Sequence, residues 1–581
     1  MTDFEIRKFS FELDEISNQS TLEHRIKNWP VVYTISDSTK KSAPRIYVGE
    51  STSALKRLAQ HKKNPSKSNL EIAQVILHEK FHISATKDLE ARLINYFHGD
   101  KLYKIQNESP GLRDAEYFDR SEYSLIFEQI FDELRAQGMF SRSLREIEND
   151  NLFKFSPFKA LNDDQAIAIE GILETVLNAD GSTHGNEIVV QGGPGTGKTI
   201  VAIYLMKLLK DIASRGEEDD LDSDSFFFEF FTNDVQERLS KWNIAIVIPQ
   251  QALRATIQNA FKSIPGLSAK MILTPWEVAS ASQDFDLLIV DEVHRLKMRA
   301  NMNTAQLNGK FRDNNIALFG NDDTKYTQLD WIRAKSRNRI FLLDAEQSVM
   351  PQDLPEFLVS EVVSNSIGNN THFKLLTQMR VKGGEDYIRF VSQLLSNSAI
   401  PGIRTFGDYD LKLFKDIREF QAAIAEKESE FKLSRMVAGY AWDWNSRNDE
   451  SGLVKDISIE GLDLVWNRAR KDWVSSEGSP DEVGSIHTVQ GYDLNYCGVI
   501  IGLDLQFDPI SQKIIFSRED YKDTKGKENN VKLGYFPSDD DLLKYVKQIY
   551  RVLLTRGIRG TYIYVVDQEL RNYFSKFIKS S

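Results

Sequence analysis

The chain has 581 residues, of which 41% are apolar and 27% charged, and its net charge is −12. That length suggests about three or four domains, and the apolar share excludes a mostly disordered chain. The single cysteine, Cys497, excludes an internal disulfide and any multi-cysteine zinc or iron–sulfur site.

The first residues, MTDFEIRKFS, are charged and lack the apolar stretch of a signal peptide. No apolar run reaches the roughly 18 residues of a membrane span. A cytoplasmic protein with no membrane partner is expected. Residues 1–28 read as an N-terminal extension. VVYTI (31–35) and RIYVG (45–49) are rich in β-branched and aromatic residues and predict two strands joined by a polar loop. SALKRLAQHKK and DLEARLINYFHG then carry apolar residues at helical spacing. Residues 29–110 hold 13 Lys/Arg and 8 Asp/Glu, a local +5, which leaves −17 for the rest. The densest basic part runs from Lys40 to Lys67, eight basic residues against Glu50 alone. A net acidic chain does not coat nucleic acid, but a local basic stretch can still hold a phosphate backbone. Residues 116–156 predict a helical connector.

From residue 157 the pattern changes. EIVVQ (187–191), IAIVI (244–248), LLIVD (287–291) and RIFLLD (339–344) are short β-rich runs separated by helical patterns. That alternation predicts a parallel α/β sheet. RMVAGY (435–440), CGVIIG (497–502) and TYIYVV (561–566) form a second series. The fold class is therefore α/β, with a small domain over 29–115 and two parallel-sheet lobes over 157–348 and 349–581. Glu217 to Asp224 holds six acids in eight residues and reads as a solvated loop.

The strongest local signal is GGPGTGKT, comprising Gly192, Gly193, Pro194, Gly195, Thr196, Gly197, Lys198 and Thr199. It fits the phosphate-binding loop G-x-x-x-x-G-K-[ST], with a strand pattern before it and a helix pattern after it. Glycines let backbone N–H groups wrap the phosphates, and a helix N-terminus favours negative charge. Lys198 is placed to reach the β- and γ-phosphates of ATP and Thr199 to hold Mg²⁺. LLIVDEVH follows, with Asp291 and Glu292 at the end of an apolar strand. Asp291 suits Mg²⁺ binding and Glu292 suits activation of the attacking water. ATP hydrolysis is the firmest inference from these residues.

Further motifs follow in order: LNDDQ (161–165), IPQQALR (248–254), DEVHRL (291–296), LLDAEQ (342–347), LTQMR (376–380), VAGYAWDW (437–444), IHTVQGYDLNY (486–496) and LLTRGIRGTYIYV (553–565). This series resembles superfamily 1 helicases, and within them the Schlafen-like bacterial helicase-ATPase family. The resemblance implies two RecA-like lobes. It implies that Gln165 contacts adenine, and that Asp344 and Gln347 sense the γ-phosphate. Arg380 and Arg556 would reach the transferring phosphate from the second lobe, and Gln490 and Gly491 would lie near the nucleotide or the strand. His294 and His487 suit coupling of hydrolysis to strand binding, and His487 by itself also suits a satisfied core histidine. The sequence departs from the usual Gly-Leu-Glu-Phe, which reads Gly-Tyr-Asp-Leu here, so Asp493 stands where relatives carry glutamate and nucleotide preference stays open. Trp442 and Trp444 suit either base stacking or a core.

In the N-terminal domain, Val31-Val32-Tyr33 and Tyr47-Val48-Gly49 resemble the paired motifs of GIY-YIG nucleases, with Val31 at the first glycine position. Arg57, His61, Glu90 and Asn107 follow in the order that the resemblance requires. Phosphodiester hydrolysis needs a divalent ion, Mg²⁺ or Mn²⁺, to which Glu90 could supply a carboxylate. Arg57 would meet developing negative charge. Tyr33, Tyr47 and His61 are candidate bases, Tyr33 first if its pKa is lowered. The combined expectation is an ATP-dependent nucleic-acid motor joined to an endonuclease acting on DNA ahead of RNA, in defence against foreign DNA. A nucleotide-switched sensor without strand separation and an RNA- or tRNA-cleaving nuclease are the alternatives.

Overall fold

A computed structural model describes residues 4–107, 117–177, 185–214, 227–299, 305–344, 353–378, 381–449, 454–468, 473–489, 492–524, 527, 529 and 536–581. Gln347, Arg380, Gln490, Gly491 and the acidic loop Glu217–Asp224 lie outside these residues, as does the side chain of His487. Two compact units are formed, one by 1–170, 200–241 and 262–267, the other by 171–199, 242–261 and 268–581.

The first unit opens with β1 (Phe4–Ser10), α1 (Leu13–Leu22), β2 (Val31–Ser36), β3 (Arg45–Ser51), α2 (Ala54–Lys63), β4 (Ile72–His78), α3 (Ile83–Asp100) and β5 (Lys104–Ile105). The sheet order is β1-β4-β2-β3-β5, antiparallel except for the parallel pair β3–β5. Alternation along β2, β3 and β4 builds two cores. Val32, Ile46, Val48 and Ile76 join Leu89, Leu93 and Phe97 of α3. Tyr33, Ile35, Val75 and Leu77 face Leu58 of α2. The N-terminal segment corrects the sequence reading: β1 pairs with β4 along its full length, so residues 4–10 are part of this sheet and not an extension. β4 itself escaped the sequence reading. It is central and buried on both faces, so IAQVILH shows no simple alternation.

Next come α4 (Arg120–Ala136), α5 (Leu144–Asn149), α6 (Asn151–Lys154) and α7 (Asp163–Leu177). Tyr123, Phe127, Ile130, Phe131 and Leu134 recur at helical spacing on α4 and join the core under α3. The expected connector is thus packed as part of the first unit.

The chain continues through β6 (Glu187–Gly192), α8 (Lys198–Ser214), α9 (Asn233–Ser240), β7 (Ile244–Val247), α10 (Gln251–Phe261), β8 (Ile272–Leu273), α11 (Pro275–Ala279), β9 (Phe285–Val290), α12 (Ala305–Phe319), α13 (Gln328–Lys335), β10 (Ser336–Leu343), α14 (Glu356–Gly368) and β11 (His372–Leu375). Their strands form a parallel sheet of order β11-β6-β10-β9-β7-β8. β11 lies beyond the expected boundary at 348, because its main chain completes the edge beside β6.

The last part contains α15 (Gly384–Leu395), β12 (Asp410–Phe414), α16 (Ile417–Phe431), β13 (Ser434–Ala438), β14 (Ile457–Ile459), β15 (Leu462–Leu464), β16 (Val483–Ser485), α17 (Ile486–Val489), β17 (Leu494–Ile501), β18 (Leu505–Asp508), β19 (Lys513–Phe516), α18 (Asp539–Leu554), β20 (Gly557–Val565) and α19 (Gln568–Phe574). A second parallel sheet has the order β12-β20-β17-β13-β16, and β14–β15 and β18–β19 are separate antiparallel pairs. Trp442 and Trp444 pack against the core of this sheet beside Trp466, which supports the core reading for both. The fold is α/β with two RecA-like parallel sheets. Among the described residues, no helix is long and apolar enough to cross a membrane.

Candidate active site

The phosphate-binding loop joins β6 to α8. Gly195 and Gly197 have φ of 82° and 84°, the left-handed region that glycine occupies without strain. A Cβ at Gly192 would stand 2.4 Å from the Thr196 hydroxyl. Lys198 donates to the carbonyls of Gly192 and Gly193 at 2.7 and 2.9 Å, and its Nζ lies 3.9 Å from the buried Asp344. Gln378 donates to the Pro194 carbonyl.

β9 delivers Asp291 and Glu292 to the same place. Thr199 donates its hydroxyl to Asp291 at 2.7 Å, across 92 residues of sequence. Asp291 is fully buried, and burial together with the adjacent Glu292 pushes its carboxyl above the usual range. Burial opposes ionisation of Glu292 too, but His294, Lys198 and Arg295 outweigh it and hold that carboxyl low. His294 Nε2 stands 3.0 Å from Glu292. The backbone of Glu292 is itself left-handed, with φ 52° and ψ 49°. A hydroxyl and a carboxylate side by side are the hard oxygen donors that Mg²⁺ takes, so the residues fit that ion.

The other expected nucleotide residues are less directly placed. Arg556 is buried, and its guanidinium donates to the Tyr492 carbonyl at 3.4 Å within its own sheet. Gln165 is also buried. Its side-chain oxygen accepts from the Asn162 backbone at 3.2 Å, while the Asn162 side chain accepts from the Gln165 backbone at 2.9 Å. That reciprocal pair caps α7. A cleft of about 1390 Å³ lies between the two parallel sheets, lined by Gln191 and His294 on one side and by Lys544, Gln548 and Arg551 of α18 on the other.

The N-terminal cluster gathers residues from four elements. Tyr33 on β2 faces Gly49 on β3 in register, and a Cβ at Gly49 would stand 2.5 Å from the tyrosine ring and hydroxyl. Tyr33 Oη is 2.9 Å from His61 Nε2 on α2. The Tyr47 and His61 rings are 4.9 Å apart, and Lys67 lies 3.7 Å over the Tyr47 ring and 3.4 Å from His61 Nδ1. Arg57 and Glu90 act on Tyr33 with opposite sign, the arginine lowering its pKa and the glutamate raising it.

One expectation is corrected here. Tyr33 is not a phenol of lowered pKa: burial, with Tyr47 adding, pushes it well above its ordinary value. His61 is drawn down to about 2 by burial and by Lys67 and Arg57, so it is neutral and can accept the Tyr33 proton in a hydrogen bond. Asn107 is engaged by the main chain of β3. Its amide accepts from the Val48 N–H at 3.0 Å and donates to the Val48 carbonyl at 2.7 Å, which fixes β3. Among the described residues no group of three or more His, Cys, Asp or Glu side chains is placed to hold a metal ion.

The sequence reading also missed two buried polar residues in the last part of the chain. Asp504 is buried, accepts from Tyr550 at 2.6 Å, and is pushed up to about 7 by burial. Asn467 is buried with φ 54°. The left-handed asparagine could have drawn attention only if its backbone angle had been known.

Two parallel α/β sheets with a phosphate-binding loop and a DE pair define a helicase-like NTPase fold. The chain belongs to the Schlafen group 3 family, whose DNA/RNA helicase domain matches residues 186–567. It is similar to the uncharacterized protein YPL245W of Saccharomyces cerevisiae, 31% identical over 221 residues. That match covers 34% of this chain and 46% of the yeast protein, so the chain spans about half the length of the curated relative it matches. Among solved structures, the arterivirus nonstructural protein 10 helicase is 12% identical with a TM-score of 0.28, covering 70% of this chain and 63% of that one. A structure of two coordinating Pif1 helicases at forked double-stranded DNA is 11% identical with a TM-score of 0.25, covering 69% and 91%.

Proposed function

We propose that this chain is an ATP-driven nucleic-acid motor joined to a metal-dependent endonuclease that cuts DNA. The observation that carries the motor half is the 2.7 Å contact between Thr199 and Asp291, which unites the phosphate-binding loop with the carboxylate of β9. Thr199 and Asp291 would hold Mg²⁺, which when bound neutralises charge on the β- and γ-phosphates. Lys198 leaves the Gly192 and Gly193 carbonyls for the phosphates. Glu292, held ionised, orients and deprotonates the attacking water. Arg556 and Arg380 complete the site from the second sheet, so hydrolysis follows movement of one sheet against the other. Gln165, Gln347, Gln490 and Gly491 belong to the same proposal as nucleotide-side residues.

The cutting half rests on the Tyr33–His61 hydrogen bond with Arg57 and Glu90 beside it. Glu90 would hold Mg²⁺ or Mn²⁺, the ion keeping several waters. Neutral His61 draws on the Tyr33 hydroxyl and so positions it, and Arg57 meets charge that develops on the phosphate. The basic stretch Lys40–Lys67 holds the backbone. A motor that feeds a cutter suits removal of foreign DNA.

The test is incubation with labelled single-stranded DNA, duplex DNA and RNA, with Mg²⁺ and with or without ATP. ATP hydrolysis stimulated by strands, with cleavage of DNA, is expected. Stimulated hydrolysis with no displacement of a tailed duplex would convert the motor into a nucleotide switch. Cleavage of RNA alone would transfer the cutter to RNA.

A further inference from the structure

We infer that Asn467 is a positioning residue that sets the helical turn α17, within the IHTVQG motif, for the ATP hydrolysis proposed above. α17 is four residues long and too short to hold its own geometry in water. Something outside the turn must therefore fix it.

Asn467 supplies that constraint. It is 5% exposed and sits at φ 54°, a backbone that asparagine tolerates better than most residues. Its side-chain oxygen accepts from the Ser485 N–H at 3.1 Å and from the Thr488 hydroxyl at 2.7 Å. Its amide nitrogen donates to the Ser485 hydroxyl at 2.6 Å. One side chain thus joins the end of β16 to the first turn of α17. Thr488 closes the turn by accepting from the Ser485 N–H at 3.0 Å.

The asparagine is itself held from behind. Its N–H donates to the Val483 carbonyl at 2.9 Å. The preceding Trp466 is buried, its N–H donates to Asp456 at 2.8 Å and its indole to the Gly484 carbonyl at 3.3 Å. On the other side, the Arg468 N–H donates to Glu482 at 3.1 Å, and Trp473 donates to the same carboxylate at 2.8 Å. Tyr440, from the VAGYAWDW motif, packs edge-on to Trp466 at 5.1 Å. Two sequence motifs, VAGYAWDW and IHTVQG, therefore meet through the Trp466–Asn467 pair, which lies in neither. A left-handed backbone with a fully engaged buried side chain is the kind of strain that persists where the surroundings over-determine it.

The role rests on the motor reading of α17, and the test separates the two. Asn467→Gly keeps the left-handed backbone and removes three hydrogen bonds. Asn467→Asp keeps both acceptor bonds. Thr488→Val removes one of the three Asn467 bonds, together with the hydroxyl's own two contacts to Ser485, without touching the strained position. Hydrogen exchange over residues 485–489 is expected to speed up about tenfold or more in Asn467→Gly, less in Thr488→Val, and to return to within about threefold of wild type in Asn467→Asp. Strand-stimulated ATP hydrolysis should follow the same order, with kcat lowered about tenfold in Asn467→Gly and KM for ATP within about twofold. Unchanged exchange in Asn467→Gly and Thr488→Val, or an Asn467→Asp variant as impaired as Asn467→Gly, would overturn the assignment. Because exchange needs no turnover, a wild type without ATPase would sink the motor reading while exchange still decides the role of Asn467.

Discussion

Glu292 combines a left-handed backbone, a neighbouring buried carboxyl and a histidine 3.0 Å away. A non-glycine residue held there costs about 1–3 kcal/mol. Replacement by glycine should relieve that strain and remove the proposed base. Glu292→Gly is expected to gain up to about 1 kcal/mol in the free energy of urea unfolding, yet to lose about 10²–10⁴-fold in kcat for ATP. A variant that is both less stable and as active as wild type would refute both halves. Asp504 gives a second expectation at this scale. Its folded pKa is raised from 3.8 to about 7, because burial favours the neutral acid that accepts from Tyr550. A raised carboxyl contributes its stability fully below pH 4 and loses it as pH rises through about 7. Urea unfolding should therefore show a loss on the order of 4 kcal/mol at most between pH 4 and pH 8 from this group. Asp504→Asn should flatten that slope while keeping a neutral side chain at the Tyr550 hydroxyl.

At the scale of elements, β2 and β3 hold the N-terminal cluster through one pairing. Tyr33 needs the space over Gly49, where a Cβ would stand 2.5 Å from its ring. Gly49→Ala should cost about 1–3 kcal/mol by overpacking. In a double-mutant cycle with Tyr33→Ala the two costs should sum to more than the double mutant shows; strict additivity would mean that the ring does not fill that space. The strands VVYTI and RIYVG were legible in sequence because β-branched and aromatic residues cluster between turn residues. β4 was not, since a strand buried on both faces loses its alternation. β1 was not either, because FEIRKFS becomes a strand only by pairing with β4. Along the parallel sheets the apolar runs announced β6, β7, β9 and β10, whereas the edge strand β11, HFKL, carries too few apolar residues to stand out.

For the whole molecule, the two proposed chemistries occupy separate residues and should be separable. Glu90→Gln is expected to abolish DNA cleavage and leave ATP hydrolysis within about twofold of wild type. Lys198→Ala should lower ATP hydrolysis at least about 10²-fold, since the lysine neutralises transferring phosphate. Cleavage measured on single-stranded DNA without ATP should survive Lys198→Ala. Cleavage that persists in Glu90→Gln would remove the nuclease from the reading and leave the motor intact. Chelation of divalent ions should stop both activities together.

The sequence by itself determined the α/β class, the phosphate-binding loop, the DE pair and the order of motifs that the Schlafen group 3 family carries. These signals are local: a loop of glycines, a run of apolar residues and a carboxylate at its end keep their meaning without the rest of the chain. Tertiary structure alone decided which distant groups meet. It placed Thr199 on Asp291, gave Tyr33 a neutral histidine in place of the lowered pKa, turned Asn107 into a tie for β3, and set Asn467 behind α17. Burial and hydrogen bonding set those properties, and both depend on neighbours that lie tens of residues away in the chain.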